Sequence, residues 1–465
     1  MSPSIQPRIE RDSLGERELP ADVYYGIQTA RAIENFPISG FKPYPSLVVA
    51  TVQIKKAAAR VNSAAGVLDT RIAAAIETAA DEVLSGKLRD QFVVDVFQAG
   101  AGTSHNMNAN EVLANRAIEL LGGQKGDYSI VHPNDHVNMA QSTNDVFPTA
   151  MRLAALRQVD ELIITLDLLA ASLRCKSIEF DHIVKSGRTH LQDAVPIRLG
   201  QEFGAYASAI EKNSNRIAQA ADEIREIGLG GTAVGTGLNA PPGYRKRIVK
   251  ELSRITNQKL RATQDYFESM QSMAPFVSLS GACRTLATDV IRITNDFRLL
   301  SSGPNTGLSE IALPAVQPGS SIMPGKVNPV IAEMSDMVCF QIMGNDLAIG
   351  AAAQAGQLEL NVMMPVIAFN LLMSLTIMTN AMGVLREKCV EGITANEERC
   401  QWYVEHSVSL VTALNPKIGY ARAAEIAKRA ISQGKTIREA LKEEGLKPEE
   451  LAEILDTRAM TEHQE

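Results

Sequence analysis

Four short clusters of hydroxyl, amide and basic side chains stand beside glycines in a chain that is otherwise rich in Ala, Leu and Ile. These clusters occupy residues 100–108, 141–145, 187–193 and 319–329. Glycine lets backbone amides approach a ligand closely, and Ser, Thr and Asn supply neutral donors that orient it. Lys326 and His190 can add positive charge. A single cluster is more typical of turns and helix caps, whereas four together predict a site for a small anion with carboxylate groups.

The sequence contains no pattern of metal ligands or of redox cysteines. Its 7 histidines include no His-x-x-x-His pair around a Glu. Its 5 cysteines are odd in number, lie far apart and never form a Cys-x-x-Cys pair. Neither a disulfide framework nor a structural zinc site is therefore expected, and we predict no cofactor and no metal.

Two glycine-rich segments imitate nucleotide-binding motifs. Residues 228–233 match the glycine pattern of a dinucleotide site, but they follow a long helical segment where that motif requires a strand. Residues 319–326 resemble a phosphate loop. In them, however, the spacing between the glycines is one residue too long, and Val327 stands where Ser or Thr should follow the lysine. Neither segment is expected to bind a nucleotide.

Length and charge indicate a soluble, mildly acidic protein. The chain has 465 residues, of which 45% are hydrophobic and 21% charged, and its formal net charge is -7. The sequence has no Lys/Arg-rich block that could form a basic surface for nucleic acid or a membrane, so a small-molecule substrate is the expected partner. Residues 1–10 lack the apolar core of a secretory signal. The apolar stretch 362–378 is interrupted by Pro365, which favours a buried helix, and we expect a cytoplasmic location.

Helical periodicity dominates the chain. Apolar residues recur at steps of three and four from Leu153 to Leu173 and again from Phe203 to Ile224. The patterns predict long helices over 197–227, 274–300, 329–353 and 358–391, and polar loops over 98–110 and 132–144. The predicted fold class is all-α with a central bundle. A long helix buried on several faces needs neighbours from other subunits, so the bundle favours an oligomer.

Three domains are predicted from these patterns. A mostly helical N-terminal domain covers 1–141, a long-helix bundle covers 142–393, and a small helical C-terminal domain covers 394–465. The last of these carries a capping-box pattern, Thr436-x-x-Glu439, and a helix start at Pro448.

The segment GSSIMPGKVNP at 319–329 resembles the signature loop of the aspartase/fumarase superfamily. The resemblance extends over nearly the whole chain, through QSTNDVFPTA at 141–150, GRTHLQDAVP at 187–196, GGTAVGTGLN at 230–239 and GQLELNVMMPV at 356–366. It implies three mostly helical domains. It also implies a homotetramer whose central domains form one long bundle, with each active site built by three subunits.

The resemblance further implies roles for residues of the four clusters. Ser320 would be the general base, an activated alkoxide that removes the Cβ proton, with Lys326 and His190 as the other catalytic residues. The substrate carboxylates would be held by hydroxyl, amide and basic side chains: Thr103, Ser142, Thr143 and Ser321 at the β-carboxylate, and Thr189, His190, Lys326 and Asn328 at the α-carboxylate. Asn144 would orient the amine, and Glu333 would pair with His190.

Within the superfamily, the sequence resembles the aspartase branch more than the class II fumarases. GAGTS at 100–104 stands where fumarases have GSGTQ, and Asn305 and Met364 depart from an aspartase pattern that has Arg and Glu there. The resemblance implies reversible anti elimination of ammonia from L-aspartate to give fumarate, through an aci-carboxylate intermediate. The alternatives are a class II fumarase, which expels water from malate, and a structural protein recruited from a lyase scaffold, as in the related lens crystallins.

Overall fold

The computed structural model describes residues 7–462, and most of them are helical. The prediction of an all-α fold is confirmed. The predicted absence of a leader, and the outer ends of the predicted N-terminal and C-terminal domains, rest partly on residues 1–6 and 463–465, which lie outside the described residues.

Sixteen α-helices follow one another along this range. The first four are α1 (Ile27–Asn35), α2 (Pro45–Ala64), α3 (Thr70–Leu84) and α4 (Thr103–Leu120). The middle of the chain forms α5 (Thr143–Glu179), α6 (Leu199–Ile224), α7 (Tyr244–Thr256), α8 (Glu268–Gln271), α9 (Ala274–Leu300), α10 (Val330–Gln354) and α11 (Met364–Lys388). The last five are α12 (Glu397–His406), α13 (Asn415–Ile418), α14 (Tyr420–Gln433), α15 (Ile437–Glu443) and α16 (Pro448–Ile454).

Apolar periodicity locates the long helices well. α9 begins and ends at the predicted residues, and α6 and α10 lie within a few residues of their predicted bounds. α11 was predicted from residue 358 but begins only at Met364. The reason is visible in α5, where the stripe residues Leu156, Leu162 and Leu169 are all fully buried. A stripe with this period keeps one helix face against the core along its whole length.

The prediction of loops over 98–110 and 132–144 is wrong in part. α4 begins at Thr103, Pro133–Val137 forms a π-helical turn, and α5 begins at Thr143. The buried face of α4 carries asparagines such as Asn108, whose Oδ1 accepts a hydrogen bond from the backbone N–H of Val93 at 2.9 Å. Because the partners of these polar side chains lie inside the protein, the first half of the helix is buried although it is largely polar.

Within residues 7–462 the strands pair as four small sheets. β1 (Arg8–Asp12) and β2 (Gly15–Leu19) form one antiparallel hairpin, and β3 (Val184–Thr189) and β4 (Gln192–Arg198) form another. The two-residue strands β5 (Glu226–Ile227) and β6 (Arg261–Ala262) pair in parallel, and β7 (Ile311–Ala312) and β8 (Thr394–Ala395) are antiparallel. The β3–β4 hairpin is the one that carries predicted site residues.

The described chain forms two compact units. The first contains residues up to 163, 215–285 and 340–378, and the second contains 164–214, 286–339 and 379 onward. Apolar side chains of α2, α3 and α4 form a core in the first unit, and those of α12, α14, α15 and α16 form one in the second. The division into three domains at 141 and 393 stays a prediction.

The helix signals near the C-terminus are confirmed. The backbone N–H of Thr436 donates to Glu439 Oε2 at 2.8 Å, and the N–H of Glu439 donates to Thr436 Oγ1 at 3.2 Å. This reciprocal capping box begins α15, and Pro448 is the first residue of α16.

Among the described helices, the segment Met364–Gly392 is the one that could cross a membrane, judged by length and composition alone. More than half of its most apolar window is buried inside the chain, as in the core helix of a water-soluble protein. The predicted burial of this stretch is confirmed at Leu371, Leu372, Leu375 and Met378.

Candidate active site

Ser320 lies in the signature loop 319–329 with two backbone amides directed at its hydroxyl oxygen. The N–H groups of Ile322 and Met323 donate to Ser320 Oγ at 3.2 and 2.9 Å. Successive N–H groups aimed at one atom stabilise negative charge there. The loop therefore provides the environment that a serine needs to act as an alkoxide. The role of Ser320 as the base stays a prediction, and this geometry is consistent with it.

The signature loop is closed at its base and open at its tip. Asn328 Nδ2 donates to the Gly319 carbonyl oxygen at 2.6 Å, so the two ends of the loop are joined. A Cβ on Gly319 would lie 2.2 Å from the carbonyl oxygen of Lys326, so only glycine fits at this point. At the tip, Ile322 is 83% exposed, and Ser321 and Lys326 are exposed as well. These exposed side chains are accessible to a ligand.

Thr189 and His190 lie at the tip of the β3–β4 hairpin. Thr189 pairs with Gln192, so His190 and Leu191 form a two-residue turn, with φ values of 57° and 58°. Such turns normally use Asn-Gly, because a left-handed conformation costs about 1–2 kcal/mol for other residues. The strained turn projects the imidazole of His190 into solvent, where a substrate carboxylate could reach it.

A buried ion cluster supports the base of this hairpin. Glu310 is fully buried and binds Lys185 Nζ at 2.8 Å and Arg188 Nη1 at 2.9 Å. Lys185 also binds Glu202, and the Arg188 guanidinium lies 4.9 Å from the ring centroid of Tyr403. Burial by itself lowers the pKa of Lys185, but the two carboxylates outweigh that effect and leave the pKa raised. Glu310 thereby fixes the strand residue that precedes Thr189.

The first turns of α4 and α5, which carry the predicted residues Thr103 and Thr143, are joined by a hydrogen bond between side chains. Thr103 begins α4 and Thr143 begins α5, and Asn106 Nδ2 donates to Thr143 Oγ1 at 3.1 Å. Gly102 precedes Thr103 with φ 84°, and a Cβ there would lie 2.2 Å from the Phe147 ring. Two adjacent helix N-termini direct their partial positive charge outward, which favours an anionic ligand.

Asp145 holds the segment that contains Ser142 and Asn144. Its buried carboxylate accepts hydrogen bonds at 2.9 Å from the backbone N–H groups of Ser142, Gly230 and Thr232. Burial raises the pKa of Asp145 to about 6, although the three amides favour its charged form. Asn144 Nδ2 donates to the Ala233 carbonyl oxygen at 2.8 Å. These contacts make the 228–233 glycine segment a scaffold for 142–144.

The glycine segment does not open a helix, since α7 begins only at Tyr244. Its amides at Gly230 and Thr232 are already bound to a carboxylate of the chain. Both facts agree with the prediction that no dinucleotide binds there.

Lys55 is a functional candidate that the sequence analysis missed. Its side chain is fully buried and donates to Asn138 Oδ1 at 2.8 Å and Gln141 Oε1 at 3.0 Å. Burial lowers the pKa of the Lys55 ammonium to about 7. A signal was present, because Lys55 continues the buried stripe of Val48 and Val52 along α2.

Other predicted contacts are not formed in the described chain. Glu333 lies in the first turn of α10, and residues 7–462 contain no hydrogen bond or ion pair between it and His190. Nor does a described hydrogen bond or ion pair join the hairpin tip to the signature loop, so the pairing of Glu333 with His190 stays a prediction. No group of three or more His, Cys, Asp or Glu side chains that could hold a metal ion was found in the described range.

The chain matches a family model described as "Lyase" over residues 15–344 and one described as "Fumarase C C-terminus" over residues 410–462. The chain belongs to this lyase family. An aspartate ammonia-lyase from a Bacillus species is 51% identical over 98% of this chain and 97% of its own length. A class II fumarate hydratase from Thermosynechococcus vestitus is 49% identical over 94% of each chain.

Structure comparison gives the same family. The crystal structure of a Brucella melitensis fumarate lyase:delta crystallin matches with a TM-score of 0.96 and 51% identity. The match covers 98% of this chain and 100% of that one. The similarity to these relatives, in sequence and in fold, thus extends over nearly the whole chain.

Proposed function

We propose that this lyase is an aspartate ammonia-lyase, which converts L-aspartate reversibly to fumarate and ammonia. The observation that carries the proposal is the pair of backbone amides directed at Ser320 Oγ inside the signature loop. Elimination of ammonia needs a base for a weakly acidic C–H bond, and the loop supplies an oxygen whose charge is stabilised in advance. Identity with aspartate ammonia-lyases over nearly the full chain supports the choice of substrate.

In the proposed reaction, the Ser320 alkoxide takes the proton from the Cβ atom of aspartate. The electron pair of that C–H bond moves into the β-carboxylate and forms an aci-carboxylate with additional charge on oxygen. Each preorganised donor to such an oxygen contributes about 10²–10³-fold in rate. The carbon–nitrogen bond then breaks on the opposite face, ammonia leaves, and the double bond of fumarate forms.

The remaining predicted residues bind and orient the substrate in this proposal. At the β-carboxylate we place hydroxyl groups: Thr103, Ser142, Thr143 and Ser321. At the α-carboxylate we place Thr189, His190, Lys326 and Asn328, and at the amine Asn144. We propose that three subunits of a homotetramer in the cytoplasm contribute them to one site. A sizing column that returns monomers with full activity would contradict the shared site.

Fumarate absorbance in the ultraviolet tests the substrate directly, with L-aspartate and L-malate offered separately to one purified sample. We expect fumarate from aspartate. Formation from malate alone would make the enzyme a class II fumarase, an alternative favoured by the identity with the Thermosynechococcus vestitus hydratase. No product from either substrate would favour a structural role on a lyase scaffold.

The Lys326→Ala variant is expected to raise the KM for aspartate roughly 10- to 100-fold, because a hydrogen bond to a charged group contributes about 1.5–3 kcal/mol. Lys326 is exposed on the signature loop, so its removal leaves the core unchanged. Initial rates over a range of aspartate concentrations measure the effect. Lys442→Ala, which removes an exposed lysine of α15, is the matched control. An unchanged KM in the Lys326 variant would remove this residue from carboxylate recognition.

A further inference from the structure

A chain of hydrogen bonds in the first compact unit runs from the buried Lys55 to Thr143. Lys55 Nζ donates to Asn138 Oδ1 at 2.8 Å, and Asn106 Nδ2 donates to the same oxygen at 3.3 Å. Asn106 Nδ2 also donates to Thr143 Oγ1 at 3.1 Å. Asn106 is buried and Thr143 is half-buried, so this series of hydrogen bonds leads from the protein interior to a predicted substrate-binding hydroxyl.

The orientation of the Asn138 amide is fixed from two sides. Its Oδ1 faces the amine of Lys55, which donates, and its Nδ2 donates to the carbonyl oxygen of Gln141 at 3.2 Å. Reversing the amide would set an NH₂ group against the Lys55 amine and an oxygen against a carbonyl oxygen. Both contacts would be repulsive, so Asn138 presents its oxygen to Asn106.

The direction of the next bond follows from this one. Because Asn138 presents an oxygen, the group of Asn106 that faces it must be the NH₂ group, and the same NH₂ group faces Thr143 Oγ1. The Thr143 oxygen therefore accepts this hydrogen bond and keeps its own proton. Among residues 7–462, no acceptor for that O–H group is found, so it is free to donate to a ligand.

We propose that Asn106 is a positioning residue: oriented by Lys55 through Asn138, it makes the Thr143 hydroxyl a hydrogen-bond donor to the carboxylate of the substrate. The inference rests on the proposed function for the role of Thr143 in binding. A donor held in one direction before the substrate arrives needs no reorganisation when charge develops on the carboxylate.

The direction survives a change in the charge of Lys55. A neutral amine still carries two hydrogen atoms, enough for Asn138 Oδ1 and for Gln141 Oε1 at 3.0 Å. Gln141 cannot reverse its own amide, since its Nε2 donates to the carbonyl oxygens of Val137 and Met139. The direction of the hydrogen bonds from Lys55 through Asn138 to Asn106 is therefore set by the arrangement of donors and acceptors, whichever charge Lys55 carries.

Two substitutions of Asn106 separate this role from simple packing. In Asn106→Asp the carboxylate accepts from the Thr143 O–H group and withdraws it from the substrate, so kcat/KM should fall about 10²–10³-fold. In Asn106→Ala the hydroxyl remains free to donate, and the loss should stay below about 10-fold. A packing role predicts the opposite order, because Asp has nearly the shape of Asn. Circular dichroism and the thermal midpoint verify that both variants fold.

A Thr143→Val background distinguishes the hydroxyl from the added negative charge. If Asn106→Asp acts through the Thr143 hydroxyl, it should lower kcat/KM less than about 3-fold further in this background. An equal loss in both backgrounds would mean repulsion between the new carboxylate and the substrate, and would overturn the inference. So would a larger loss for Asn106→Ala than for Asn106→Asp.

Binding of succinate, measured by calorimetry, reports the inference independently of turnover. We expect the order of affinity to be the parent enzyme, then Asn106→Ala, then Asn106→Asp. The parent enzyme also receives aspartate and malate. If aspartate is not converted while succinate affinity keeps this order, the proposed function fails and the inference stands. If aspartate is converted and the order is reversed, the inference fails alone.

Discussion

Replacement of Ser320 by alanine is expected to abolish turnover, with a fall in kcat of at least about 10²–10⁴-fold, while the chain folds normally. The oxygen removed is the one on which the N–H groups of Ile322 and Met323 converge. Ser320 is only half-buried, so the loss of the hydroxyl leaves no cavity in a core. The two amides would bind water in the variant, which is a poor substitute for a held alkoxide.

The measurement is the initial rate of fumarate formation at saturating aspartate, with the thermal midpoint as the control for folding. Ser432→Ala serves as the matched variant, because Ser432 is exposed near the end of α14 and its hydroxyl donates to the Arg429 carbonyl oxygen of the same helix. We expect full activity in that variant. A near-normal kcat in Ser320→Ala would contradict the base assignment and leave the loop a role in binding alone.

Replacement of Glu310 by glutamine is expected to lower the free energy of unfolding by about 3 kcal/mol or more. Removing one partner from a buried ion cluster leaves the remaining charges without compensation, at a cost of about 3–5 kcal/mol. Glu310 is fully buried and is shared by Lys185 and Arg188. Lys185 keeps its contact with Glu202, whereas the contact of Arg188 with the carboxylate is lost.

Urea denaturation at equal protomer concentration measures this loss, since unfolding of an oligomer depends on concentration. Glu425→Gln is the control, because Glu425 forms an exposed pair with Arg422 and should contribute about 1 kcal/mol at most. Equal losses in the two variants would contradict the structural role of the buried cluster. We also expect the Glu310 variant to bind aspartate more weakly, because the hairpin that bears Thr189 and His190 loses its support.

The sequence predicts those parts of the fold that apolar periodicity determines. α9 is found at its predicted bounds because an uninterrupted stripe of apolar residues is buried along it. The part of α4 up to residue 110 was predicted as a loop because its buried face contains asparagines whose partners lie elsewhere in the chain, such as Asn138 for Asn106. A polar residue that is satisfied by a distant partner gives no local signal.

The candidate site shows the same distinction between features with a local sequence signal and features that depend on distant partners. The signature loop and its Ser320 could be found from a resemblance, but the two amides directed at the oxygen depend on the backbone conformation of the loop. Asn106 belongs to the first polar cluster but was given no role, and Glu310 was given none either, because the importance of both lies in partners distant in sequence. Lys55 could have been identified from the sequence, since a lysine within an apolar stripe of a helix is unusual and indicates a specific role.

The turn at His190 and Leu191 sets a limit on efforts to make this enzyme more heat-resistant. Asn-Gly at these two positions would relax both left-handed residues and would be chosen by any selection for stability alone. The same exchange would delete the imidazole that we place at the α-carboxylate. Improved stability and retained activity are therefore in direct conflict at this point of the chain, and a library that spares position 190 while varying Leu191 avoids the conflict.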